Sequence, residues 1–176
     1  MMQAKTKLTI YEIACIGVCA AMLLGVQIVL APLPNIELVS LLVICFSKAF
    51  GKRTLYIIYV FVLIEGLIYG FGLWFISYMY IWTILYFITR LMQDVDSAVV
   101  WAVIAAIFGL LFGTLTSVAS FVIGGWSYGI AYIVSGLMFD VTHCIGNLVS
   151  VLLLYRPITN ALSKIETSVR HSAARA

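Results

Sequence analysis

Every one of the ten Lys and Arg side chains falls on one side of a simple alternation of long apolar stretches and short connections. The stretches run from about 8 to 31, 37 to 50, 54 to 69, 73 to 92, 98 to 123 and 129 to 155. A helix needs about 20 mostly apolar residues to cross a bilayer, with a range of about 17–25. The second stretch is short for a full span, and the others read as spans. If the N-terminus is cytoplasmic, the inner segments hold Lys5, Lys7, Lys48, Lys52, Arg53, Arg90, Arg156, Lys164, Arg170 and Arg175. The outer connections, 32–37, 70–72 and 124–128, hold none. Cytoplasmic loops of membrane proteins carry the Lys and Arg excess, and losing or adding one span would scramble the segregation. The expectation is an all-α integral membrane protein with six transmembrane helices, N-in and C-in, forming a single domain over residues 1–176 with 156–176 as a cytoplasmic tail.

Composition agrees: 64% of residues are hydrophobic and 10% charged, against roughly 25% charged in soluble domains. So large an apolar excess does not fit inside one small water-soluble core. The net charge of +3 includes no basic run that suggests nucleic acid. Cys15, Cys19, Cys45 and Cys144 lie within apolar segments, without zinc or redox spacing, and read as small apolar fillers. The first apolar stretch is too long for a cleavable signal peptide, and no small-residue cleavage site follows it.

Several expected boundaries have a mechanism. Pro32 and Pro34 end the first helix, because proline lacks the amide hydrogen that a continuing helix needs. Gly51-Lys52-Arg53, Gly70-Phe71-Gly72 and Gly124-Gly125-Trp126-Ser127 read as turns.

Few polar side chains interrupt the apolar stretches. Glu65 and Asp140 are the carboxylates deep within them. Asp140, His143 and Asn147, at i, i+3 and i+7, share a face of the last helix. Ionisable groups in a membrane are costly and face partners or cavities. Two readings stand for this face: a structural polar seam, or a binding or coupling surface. A metal site is not expected, with one histidine inside the spans and the other, His171, in the tail. No catalytic constellation is visible. His143 and Cys144 are neighbours in sequence but not on a helical face, and neither a His-Glu-x-x-His pair nor a phosphate-binding loop occurs.

Aromatic residues gather toward the outer side. Trp74, Tyr78 and Trp82 form an i, i+4, i+8 stripe, Tyr69 precedes it, and Trp126, Tyr128 and Tyr132 cluster at the start of the last span. Membrane-interface anchoring explains part of this pattern; an aromatic-lined pocket for a flat, partly polar ligand explains it equally. Small residues form two further stripes, Gly17-Ala21-Gly25 and Gly109-Gly113, of the kind that lets helices approach closely in lipid. Internal packing and docking to another membrane protein are both open for these.

Size, topology and three segments resemble the substrate-binding S components of energy-coupling factor vitamin transporters. The segments are the small-residue stripe of the first helix with the loop Leu33-Pro34-Asn35-Ile36-Glu37, the entry Gly70-Phe71-Gly72-Leu73-Trp74, and Phe-Asp-x-x-His-x-x-x-Asn over 139–147. The resemblance implies a protein of the bacterial plasma membrane that is not an enzyme and holds no cofactor. It implies capture of a vitamin or related micronutrient from outside, the loop 32–37 acting as a lid. Its partners are then a transmembrane coupling subunit and two cytoplasmic ATPases, whose ATP hydrolysis topples the S component and carries the pocket inward. Asn35, Glu37, Trp74, Tyr78, Trp126, Tyr132, Asp140, His143 and Asn147 become the expected substrate-binding residues, and Gly17, Ala21 and Gly25 the expected docking stripe. Cobalamin, pantothenate, folate and queuosine precursors are all ligands compatible with the resemblance. The alternative is a stand-alone proton- or cation-coupled carrier with Glu65 or Asp140 as its coupling carboxylate, although internal repeats and broken helices, common in such carriers, are not visible in the sequence.

Overall fold

The structure, a computed structural model, describes residues 8–33 and 36–173. The described residues are overwhelmingly helical and contain no strand. Helix α1 (Ile10–Leu30) starts at a capping box: Thr9 Oγ1 accepts from the Glu12 amide, and Glu12 returns a carboxylate oxygen to the Thr9 amide at 2.8 Å. The other oxygen of Glu12 pairs with Arg53, pinning the start of α1 to the turn between the next two helices.

Helix α2 (Val39–Phe50) is 12 residues long, about 18 Å at 1.5 Å per residue. Its residues from Val39 to Ser47 are all buried, so it forms the axis of the bundle. A helix surrounded on every side needs no polar face, which is why its pattern reads as continuously apolar. The chain reverses through Gly51, at φ 55°, and a single 3₁₀ turn to Arg53, leading directly into α3 (Thr54–Tyr69). Gly70, at φ 86°, supplies the second reversal, a backbone conformation open chiefly to glycine. Phe71 and Phe75 fold back onto Gly66, where a Cβ would lie 2.5 Å from the Phe71 ring. Helix α4 (Leu73–Leu91) follows. The loop after it is fastened by Lys48, which donates to the carbonyls of Gln93 and Val95 and pairs with Asp96 at 3.1 Å, and by Trp101 Nε1, which donates to Val95.

The expected fifth and sixth spans take a different form. Helix α5 (Ala98–Leu110) stops early, a short α6 (Phe112–Thr116) follows, and α7 runs from Val118 to Ala173. Ser and Thr hydroxyls compete with the backbone here: Thr116 bonds the carbonyls of Phe112 and Gly113, and Ser117 that of Thr114. Carbonyls released by the break are taken by α4, through Ser77 to Thr116 and Tyr80 to Leu115. The turn expected over 124–127 reduces to one non-helical residue, Gly125 at φ 74°, and helix resumes at once. Beyond it, the segment expected as a tail continues as helix past Pro157, with Leu162 buried in the core.

The core runs through Leu23, Leu41, Ile44, Phe46, Ile58, Phe61, Ile81, Leu85, Trp101 and Val151. Many large apolar side chains face outward instead, among them Val29, Leu67, Leu91, Val122, Met138 and Leu153. Among the described residues, Ile10–Leu30 and Val118–Ser168 are long and apolar enough to cross a membrane.

Candidate functional site

The loop joining α1 to α2 closes over a cavity of about 270 Å³. From the loop come Leu33, Ile36 and Glu37; from α1, Gln27 and Leu30; from α4, Tyr78 and Trp82; from the α5–α7 region, Phe112 and His143. A second cavity of about 350 Å³ adjoins it, sharing Gln27, Ala31 and Tyr78 and adding Glu65, Tyr69 and Trp74. A third, about 300 Å³, lies beyond Phe112 and is lined by Gly113, Tyr132, Phe139 and Asp140 among others.

Glu37 is the hinge of the first cavity. Both carboxylate oxygens accept from the Ser40 amide, at 3.0 and 3.1 Å, satisfying an orphan donor at the start of α2. His143 Nε2 donates to Glu37 Oε1 at 3.0 Å across 106 residues of sequence. Among the described residues, this side-chain pair ties the end of the loop to α7. The Phe112 ring packs edge-on against His143, with centroids 4.8 Å apart.

The α4 stripe behaves as its spacing requires. Trp74, Tyr78 and Trp82 follow one another edge to face, with centroids 5.4 and 5.5 Å apart, within the range aromatic pairs favour. Glu65 lies behind this stripe at 1% exposure, one oxygen accepting from Gln27 at 3.0 Å and Oε1 without a partner. Trp82 Nε1 and His143 Nδ1 are also buried and unpartnered. Buried polar atoms are nearly always hydrogen-bonded; among the described residues Asp140 Oδ2, Asn147 Oδ1 and Tyr155 OH are also buried without a partner, and the atoms on Glu65, Trp82 and His143 are those on residues lining these two adjoining cavities.

The chain matches no protein-family model, no curated protein and no solved structure. Its own geometry therefore carries the functional reading.

The expected site residues separate into groups. Glu37, Tyr78 and His143 meet at the first cavity, and Trp74 joins Tyr78 at the second. Tyr132 and Asp140 are together at the third. Asp140 Oδ1 accepts from the Gly113 amide at 2.9 Å, an N–H released by the break between α5 and α6. Asn147 is buried in the core, donating to Ala105 O at 3.0 Å and to Ser40 Oγ at 3.3 Å, and so ties α7 to α5 and α2. Trp126 stands 78% exposed against Phe121, and the three cavities are lined without it. Asn35 lies outside the described residues. Of the docking stripe, Gly17 and Ala21 are exposed, and a Cβ built on Gly17 or Gly25 meets nothing within 4 Å.

Sequence reasoning did not assign Gln27, Phe112 or Ser40 to the site; it placed Trp82 in the aromatic stripe without counting it among the expected binding residues, and it offered Glu65 only as a coupling carboxylate. A lone amide in an apolar helix was the available signal for Gln27. Phe112 and Ser40 carried none. Among the described residues, no group of three or more His, Cys, Asp or Glu side chains is placed to hold a metal ion.

Proposed function

We propose that the protein is the substrate-binding S component of an energy-coupling factor importer, a bundle of six transmembrane helices with both ends cytoplasmic. The observation that carries this reading is the aromatic, polar-edged cavity under the α1–α2 loop, with Glu37 of that loop bonded to His143. Such a loop can act as a lid: this side-chain pair ties its end to α7, and its release uncovers the cavity. The adjoining cavities have the size and mixed lining of a site for a small organic ligand.

The outward-facing apolar side chains of the bundle favour a lipid surround, and the connections expected outside carry the lid and the aromatic residues. The Gly17-Ala21-Gly25 stripe supports docking of a transmembrane coupling subunit, since Gly17 and Ala21 are exposed and, among the described residues, a Cβ on Gly17 or Gly25 meets nothing within 4 Å. Gly109 and Gly113 are a contrast, because both are consumed by packing against α7. With no phosphate-binding loop in the sequence, the energy is assigned to two partner ATPases, which topple the subunit and deliver a vitamin or related micronutrient inward.

The test is purification from vitamin-replete cells, mass spectrometry of any bound small molecule, and an affinity measurement without ATPases. Tight binding alone, with transport only on adding the coupling module, is the expected result. A second reading draws on Glu65 Oε1 and Asp140 Oδ2, both buried without partners, as groups a stand-alone coupled carrier would protonate. Uptake by the isolated protein in liposomes under a proton gradient would select that reading instead.

A further inference from the structure

The two cavities under the loop share a chemical bias that narrows the ligand. Their lining contains two carboxylates, Glu37 and Glu65, and neither Lys nor Arg. His143, the lining group able to carry positive charge, is already engaged by Glu37. A ligand carboxylate or phosphate would meet like charge there, in surroundings where water screens little. Glu65 is buried with Oε1 unpartnered, and a carboxylate in that position is stabilised by a donor or a cation. Trp74 and Tyr78 of α4 line the same cavity as Glu65, Trp82 lines the adjoining one, and the faces of Trp and Tyr attract cations and stack on flat heterocycles. Trp82 Nε1 adds one unpartnered N–H on the first cavity, suited to a ring nitrogen or carbonyl oxygen.

From this arrangement we infer that the ligand is a small, flat nitrogen heterocycle that carries positive charge or presents amino N–H donors, held by Glu65 and stacked against the α4 rings, and that it bears no carboxylate or phosphate on the part that enters the cavity. The inference rests on the binding role proposed above and specifies its substrate class. It sets pantothenate and folate, both carboxylates, behind aminated heterocycles.

The experiment uses the full chain in detergent. Molecules released from the purified protein are identified by mass spectrometry, and six probes are titrated while tryptophan fluorescence and melting temperature are followed. Thiamine, pyridoxamine and 7-aminomethyl-7-deazaguanine are the cationic or aminated probes; pantothenate, folate and nicotinate are the carboxylates. The expected result is a cationic or aminated heterocycle, released or bound in titration. Glu65→Gln should then weaken its binding roughly tenfold or more, the loss of one charge-assisted hydrogen bond. The same variant without ligand should melt no lower than the parent, since the amide keeps an oxygen that can accept from Gln27. That opposite movement of affinity and stability is not what a merely structural Glu65 would give. A carboxylate or phosphate ligand seated in the cavity, or undiminished affinity in Glu65→Gln, overturns the inference and leaves the binding role standing. A protein that releases no small molecule and responds to none of the six probes overturns the binding role, and this inference with it.

Discussion

Gly109→Ala is the perturbation whose cost is set most directly by the geometry. A methyl group at this position would lie 2.9 Å from the carbonyl carbon and oxygen of His143 and 3.0 Å from Asn147 Nδ2. Non-bonded carbon contacts rest at about 3.5–4.0 Å, so α5 and α7 would have to part by roughly 0.6–1 Å. The obstructing atoms are backbone inside a helix, and no rotamer change removes them. Overpacking of this kind costs about 1–3 kcal/mol, against a gain of up to about 1 kcal/mol for replacing Gly by Ala within a helix. The net loss is about 1–2 kcal/mol, or roughly 2–8 °C in Tm for a chain of this size. Separation would also stretch the Asn147 bonds to Ala105 and Ser40, made at the same level of the bundle. Unfolding can be followed in detergent with a thiol-reactive dye, because Cys19 and Cys45 are buried and unpaired. Gly17→Ala is the control, since its methyl would meet nothing within 4 Å. If Gly109→Ala melts as high as Gly17→Ala, the close approach of α5 and α7 is wrong.

Three other outcomes follow from the same contacts. Asp140→Ala leaves the Gly113 amide without its acceptor and should cost about 1–3 kcal/mol, whereas Asp140→Asn keeps an acceptor oxygen and should melt within a few degrees of the parent; equal melting of the two would remove the capping role. Glu37→Ala severs the loop from His143 and the Ser40 amide, so ligand release in stopped-flow tryptophan fluorescence should quicken roughly tenfold, and an unchanged rate would argue against a lid. On the proposed function, Gly17→Leu should leave the melting temperature unchanged yet abolish co-purification with a coupling module that the parent retains, and a complex kept by the variant would move the docking face elsewhere.

Local chemistry made much of the helical framework legible in the sequence. Gly51 and Gly70 adopt the positive φ that their turns require, and α1 stops just short of Pro32. Lys48, Arg53 and Arg90 stand in polar contacts at or near helix ends. The break between α5 and α7 was not legible, because a run such as Leu110 to Val118 is apolar enough to continue a helix. What stops it is a set of Ser and Thr hydroxyls bonding back to their own turn, with α4 side chains ready to take the released carbonyls. Propensity along one segment does not contain that second half. The helix at the end of the chain was not legible for the converse reason. A charged, amphipathic sequence reads as a tail, but Leu162 finds an apolar surface on the bundle and the helix persists.

The polar face of α7 shows why a site is harder to read than a helix. Spacing places Asp140, His143 and Asn147 in one row, and nothing in the row distinguishes them. What lies opposite does. Asp140 meets an amide that exists as a free donor only because α5 breaks. Asn147 faces the centre of the bundle, where Ser40 of the axial helix and a carbonyl of α5 absorb its amide. His143, between them, is the member of the row that reaches the first cavity and the loop over it. The same logic separates the two glycine stripes, indistinguishable by pattern: Gly109 and Gly113 have α7 against them, and Gly17 and Gly25 have open space. A residue's role in this fold is thus set by its opposing element, which packing brings from as few as 27 residues away for Asp140 and from 106 and 107 for His143 and Asn147. The row on α7 is accordingly divided by its contacts. Two of its members hold the bundle in shape, and the third couples that shape to the loop.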